Sequence, residues 1–129
     1  MTTWTSNELN KIGTAEELQI AALRQNGRLR NPVTIWVVRI GEDLYVRSVN
    51  GRTGAWFCGT QVRHEGHIQA GGVNKDVTFV EETDPEINAQ IDTAYRTKYR
   101  RYGESIVGTI VSPVARLATI KLVPRQASL

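Results

Sequence analysis

The stretch PVTIWVVRIGEDLYVRSVNG, residues 32–51, constrains the fold of this chain more than any other. Residues 32–40 are rich in β-branched and aromatic side chains, and both faces of the run are mainly apolar. That pattern predicts a central strand. Pro32 fits only as its first residue, because proline cannot donate to a ladder. Gly41-Glu42-Asp43 then turns the chain into LYVRSV, which predicts a hairpin. Leu44, Val46 and Ser48 share one face of the second strand, Tyr45, Arg47 and Val49 share the other, and Asn50-Gly51 ends it.

The flanks fill in the remaining elements. Thr5 or Ser6 caps a short helix that Gly13 stops, and Glu8 stands three residues after Thr5, as in a capping box. Thr14 and Glu17 repeat that spacing. The segment after them alternates like a strand at Leu18, Ile20 and Ala22, yet also fits a helical face; its run into Asn26-Gly27 favours strand for the later half. Residues 53–66 read as a short helix between glycines. HIQAGG and DVTFVEE read as strands joined through VNK. Asp84 then caps a helix with Pro85 in its first position, and Gly103 stops it. Residues 104–113 form a connector with helical character, and RLATIKLVPR is the last strand. Five or six short strands around one core, with no repeat or linker, predict a single domain over 1–129. The expected fold class is mainly β with flanking helices, a small antiparallel barrel.

Composition bounds the setting. The 129 residues are 40% apolar and 22% charged, an ordinary globular balance. Cys58 is the single cysteine; it has no partner for an internal disulfide and reads as a buried thiol in a reducing compartment, so the expected location is cytoplasmic. No apolar run approaches the ~20 residues of a membrane helix, and the first residues lack the order of a signal peptide. The net charge of +3 favours anionic partners. It is modest for a domain dedicated to nucleic acid, and the interleaved RTKYRRY does not by itself make a nucleic-acid surface.

Three groups of residues can carry chemistry. Arg28 and Arg30, in the turn NGRLRNP, are either a solvated hairpin turn or a bidentate grip on a phosphate that Gly27 lets approach. Arg47 sits mid-strand and needs a partner or solvent. Hairpin pairing with 32–40 places it level with the start of that strand, near Arg30, so that three cations converge on one anion. On the later helix, Asp92, Tyr95, Arg96 and Tyr99 share a face. They read either as a surface ion pair with packed tyrosines or as a substrate-facing hydroxyl, from Tyr95 or Tyr99, oriented by Asp92. Trp56 either plugs the barrel or stacks on a planar ligand. His64 and His67 have no third ligand at metal spacing and read as loop and strand-edge residues. No hydrolase elbow, Walker loop or dinucleotide fingerprint is present.

The run NGRLRNPVTIWVVRIGEDLYVRSVNGRTGAWF resembles the core of the flavin- and deazaflavin-binding split-barrel proteins, notably the deazaflavin-dependent nitroreductases. Nearly the whole chain resembles a bacterial family of unknown function through IWVVR (35–39), LYVRSVNG (44–51), AGG (70–72), the ID-AYR-KY-RY pattern (91–102) and LVPR (122–125). The resemblance implies a split barrel, a homodimer, and a small-molecule ligand, FMN or a deazaflavin, in an oxidoreductase. It implies that Arg28 and Arg30 grip cofactor phosphate, that Arg47 and Ser48 lie beside the ring, and that Trp56 lies at its edge. Two departures bear on the cofactor: the basic turn is short, and Arg47 replaces a small residue beside the ring. The alternative is a non-redox enzyme or binding module that uses the same barrel pocket, without a cofactor, through Asp92, Tyr95, Tyr99 and Arg47.

Overall fold

The computed structural model describes residues 3–125. Its element order is α1 (Ser6–Gly13), β1 (Leu18–Ala22), β2 (Val33–Ile35), β3 (Val37–Ile40), β4 (Asp43–Arg47), α2 (Ala55–Arg63), β5 (Glu65–Ala70), β6 (Val73–Glu81), α3 (Pro85–Lys98), α4 (Glu104–Ile110), α5 (Pro113–Arg116) and β7 (Thr119–Pro124), with single 3-10 turns at Gly51–Thr53 and Arg100–Tyr102. The helix starts follow the capping chemistry of the sequence. Thr5 and Glu8 form the reciprocal capping box of α1, and the Asp84 side chain accepts from the Glu86 and Ile87 N–H groups ahead of α3.

Seven antiparallel strands form one sheet in the order β2-β1-β5-β6-β7-β4-β3. The run 32–40 is therefore not one central strand. It breaks at Trp36: β2 pairs with β1 at one end of the sheet, and β3 pairs with β4 at the other. Because the two end strands are consecutive in the chain, the sheet is almost closed on itself, a barrel split at Trp36. The apolar faces that suggested a central strand serve two cores instead.

One core fills the barrel, where Leu18, Ile20, Val37, Leu44, Val46, Ile68, Val77, Phe79, Ile120 and Leu122 meet, with Leu9, Ile12 and Phe57 brought in by α1 and α2. The other lies outside β3 and β4, where Val38 and Tyr45 pack under Ile91 and Tyr95 of α3, Tyr99 at its C-terminal cap, and Val107 and Ile110 of α4. The two-residue alternation of β4 thus sends Leu44 and Val46 inward and Tyr45 and Arg47 toward α3.

The break at Trp36 frees backbone groups that need partners. Residues of α3 and the turn after it supply them. The Tyr95 hydroxyl donates to Trp36 O at 3.4 Å, the Tyr99 hydroxyl accepts from Val37 N–H at 3.3 Å and donates to Glu16 O at 2.8 Å, and Lys98 Nζ donates to Val37 O at 2.7 Å. The Trp36 ring stacks on Tyr99 with centroids 3.9 Å apart and planes 6° from parallel. These bonds pin the open side of the barrel shut.

Other expectations are corrected by the structure. The β5–β6 turn is Gly71-Gly72, both at positive φ, and residues 73–75 lie within β6, because the paired glycines take the left-handed conformations that VNK would resist. The Thr14–Glu17 spacing opens no helix. Cys58 is exposed, on the outer side of α2. Arg47 is level with the break at Trp36 and not with Arg30, since the ladder pairs Val37 with Val46 and stops there.

Candidate ligand-binding cleft

Two cavities flank Trp56. The first, about 230 Å³, is lined by Ile20, Ala22, Arg30, Asn31, Val33 and Thr60 together with Ala55 and Trp56. The second, about 220 Å³, is walled by Ile35, Trp36, Val49, Ile106 and Ile110, with Thr34, Thr109 and Arg47, and again by Trp56. Successive residues of β2 line the two in turn, so they form one cleft along the sheet's end strand with the half-buried indole at its middle. Its ends differ in chemistry. The first carries the Arg30 cation; the second is apolar.

Arg30 is held at its end by packing. Its Cδ and Nε lie against Gly59 of α2, where a Cβ would stand only 3.1 Å from either atom. Its backbone N–H is fixed to Ala22 O at 2.9 Å. The Nε atom is out of solvent and has no hydrogen-bond partner, a cost that an incoming acceptor would relieve. Arg28 is exposed on the adjoining turn and lines neither cavity; its backbone N–H already donates to Asn26 Oδ1 at 3.0 Å.

Arg47 shares a cavity with Trp56 but turns its guanidinium away from it, under α3. Nε donates to Thr119 Oγ1 at 2.9 Å. Nη1 donates to Asp92 Oδ1 at 2.5 Å and Ile110 O at 3.3 Å, and Nη2 to Asn88 O at 3.0 Å and Asn88 Oδ1 at 2.9 Å. A guanidinium has five N–H donors, so none is left for a guest. The guanidinium is thereby committed to α3, α4 and β7 even though Arg47 lines the cavity with Trp56. Ser48 is also buried, with an unpartnered hydroxyl, but it lies beneath Gly54 and lines neither cavity.

The face shared by Asp92, Tyr95 and Tyr99 is inside the molecule. Tyr95 and Tyr99 are fully buried, their hydroxyls are bonded to backbone at the strand break, and burial pushes both phenols well above their ordinary range. Asp92 pairs with Arg47 and lies 3.5 Å from Arg116 Nε, while Arg96 turns to Glu104, so the expected Asp92–Arg96 pair is absent. None of the three lines the cleft. His64 adopts the left-handed conformation that ends α2, and His67 Nδ1 lies 2.9 Å from Asp76 on the β5–β6 ladder. Sequence reasoning missed Trp36 as a wall of the cleft and Gly59 as the seat of Arg30. Trp36 was hidden in an apparently continuous strand, and Gly59 in an ordinary helical run.

Residues 8–122 match the family described as "Uncharacterized protein conserved in bacteria (DUF2255)". Solved structures match the fold at low identity. The heme storage protein HutZ of Vibrio cholerae is 18% identical, with a TM-score of 0.64 over 98% of this chain and 93% of that one. An F420 reductase is 11% identical, with a TM-score of 0.58 over 97% of each chain. A FAD-binding protein of Mesorhizobium loti is 18% identical, with a TM-score of 0.56 over 96% of this chain and 92% of that one. None of the curated proteins matches in sequence. These likenesses show that the barrel is a split barrel. Among the described residues no helix is long and apolar enough to cross a membrane.

Proposed function

The chain belongs to the bacterial DUF2255 family, and from that premise we propose that it binds a flat, anionic ligand along the Trp56 cleft, a flavin or deazaflavin, and serves as a small oxidoreductase. The observation that carries this reading is the buried, partnerless Nε of Arg30 in a cavity walled by Trp56. The ligand's phosphate would lie against Arg30, with Arg28 adding charge from the turn. Its ring would lie in the apolar cavity between Trp56, Trp36 and Ile110, where Arg47 forms part of the wall. A flavin or deazaflavin would supply hydride chemistry there. The chain supplies grip, orientation and a dry pocket.

Proteins of this fold are named for haem as well as for flavin and F420, and the lining separates these. Haem iron takes His, Cys, Met or Tyr as its axial ligand, and no such residue lines either cavity. A planar ligand without an iron to coordinate fits better. A homodimer that covers the mouth, where Val49 and Ile106 are half exposed, belongs to the same reading.

Tryptophan fluorescence under titration with FMN, with a deazaflavin and with haemin tests the assignment. Either flavin quenches the signal saturably, and haemin binds without the spectrum of a ligated iron. Arg30→Ala weakens flavin binding by roughly tenfold or more, the worth of one charge-assisted hydrogen bond. Absence of saturable binding by FMN and by deazaflavin would sink the proposal.

A further inference from the structure

Among the described residues, half of the lysines and arginines face a carboxylate. Arg47 and Arg116 share Asp92, Arg63 and Arg125 share Glu65, and Arg52, Lys75, Arg96 and Arg101 each hold a glutamate. Arg39 and Lys98 have no such pair among the described residues, and they line the same groove. It holds about 330 Å³ between the end of α1, β3 and α3, with Gly13, Val38, Ala94 and Thr97 as its other walls. It shares no residue with the Trp56 cleft.

Both cations are built in place. The Arg39 stem lies against Gly13, where a Cβ would stand 3.3 Å from its Cβ and Cδ. Nε donates to Gly41 O at 2.7 Å and Nη1 to Asn10 Oδ1 at 2.9 Å, which leaves the rest of the fork open. Lys98 spends one donor on Val37 O at 2.7 Å and keeps two. Every one of these acceptors is neutral. Burial pushes the Lys98 ammonium down to about 8, against the opposing field of Glu16, whose own carboxylate is taken by Arg101 and Tyr102. Arg39 is exposed and Lys98 half-buried, and two like charges on one groove with donors unspent are stabilised by an anion between them.

We propose that this groove is a second anion site, in which one oxyanion group of a small ligand, a phosphate or a carboxylate, is held between the Arg39 guanidinium and the Lys98 ammonium, with the Thr97 hydroxyl at the rim. The test is the rate at which an amine-acylating reagent labels each lysine of the intact protein near pH 8, read by peptide mass spectrometry, with inorganic phosphate or acetate added at matched ionic strength. Lys98 is labelled faster than Lys11, Lys75 and Lys121 in the absence of the anions, and an occupying anion slows it several-fold while leaving the others unchanged. Slowing by phosphate alone marks the site as one for phosphate esters; slowing by acetate as well marks it as one for carboxylates. Arg39→Gln removes the protection and keeps the fast labelling. Lys98→Met removes any phosphate-dependent rise in Tm and leaves FMN quenching of the Trp56 cleft intact. The site is refuted if neither anion slows Lys98, if all four lysines slow together, or if Arg39→Gln is protected as well as the wild type.

Discussion

A buried arginine is tolerable only when each of its donors finds an acceptor, and Arg47 meets that condition with residues drawn from α3, α4 and β7. Only one of its partners, Asp92, carries a charge, and Asp92 also faces Arg116. The energetic weight therefore rests on completing the fork as well as on the ion pair. Removing one partner of a buried pair costs about 3–5 kcal/mol, so Arg47→Ala is expected to lose about that much in urea unfolding or to fail to accumulate. Asp92→Asn keeps an acceptor at Oδ1 and loses the charge, so it is expected to fall between wild type and Asp92→Ala. Equal loss in both aspartate variants would show that the hydrogen bond contributes little beyond the charge. None of this was legible at position 47 alone. Alternation told which face Arg47 occupies, but its acceptors lie 41 to 72 positions away, a distance no local pattern spans.

At the scale of elements, local chemistry was readable wherever a residue acts on its neighbours. The capping box at Thr5, the Asp84-Pro85 start and the hairpin at Gly41 act within a few residues and appear where the sequence places them, whereas the helix expected to run to Gly103 ends at Lys98 and Gly103 closes the 3-10 turn that follows. The break at Trp36 was not readable, because it is made by Tyr95, Lys98 and Tyr99 capturing the backbone of residues 36 and 37 from another helix. The same applies to the site. Arg30 and Trp56 stood out as residue types, but that they share a cavity depends on α2 packing on β1. Gly59 makes that seat measurable. An alanine in a helix interior is favoured over glycine by about 0.8–1.0 kcal/mol, yet its Cβ would crowd Arg30 at 3.1 Å. Gly59→Ala is expected to leave the unfolding midpoint unchanged or raise it, while FMN quenching weakens several-fold. Weakened stability with unchanged binding would place the Arg30 contact outside the site.

For the molecule as a whole, buried ionisable groups on either side of the strand break set opposing dependences on pH. Burial lowers Lys98 from 10.5 to about 8, with Glu16 opposing and with Arg39 and Tyr99 as its other charged or titratable neighbours. Between those two values the unfolded chain holds a proton that the folded chain has released, so stability rises with pH across that window. Burial, aided by the carboxylates of Asp43 and Glu82, raises Tyr45 from 10.0 to about 12, and Tyr95 and Tyr99 are also raised. Above 10 the unfolded phenols ionise first, and stability falls. The two trends meet in a maximum between about pH 9 and 10, well above the pH 5–8 range where most proteins are most stable. Urea midpoints taken in half-unit steps from pH 7 to 11 test this. Lys98→Met is expected to abolish the climb and keep the fall, and Tyr45→Phe to soften the fall and keep the climb. A wild-type profile already descending between pH 8 and 9 would mean that Lys98 is solvated in solution, and the anion groove would lose one of its two cations with it.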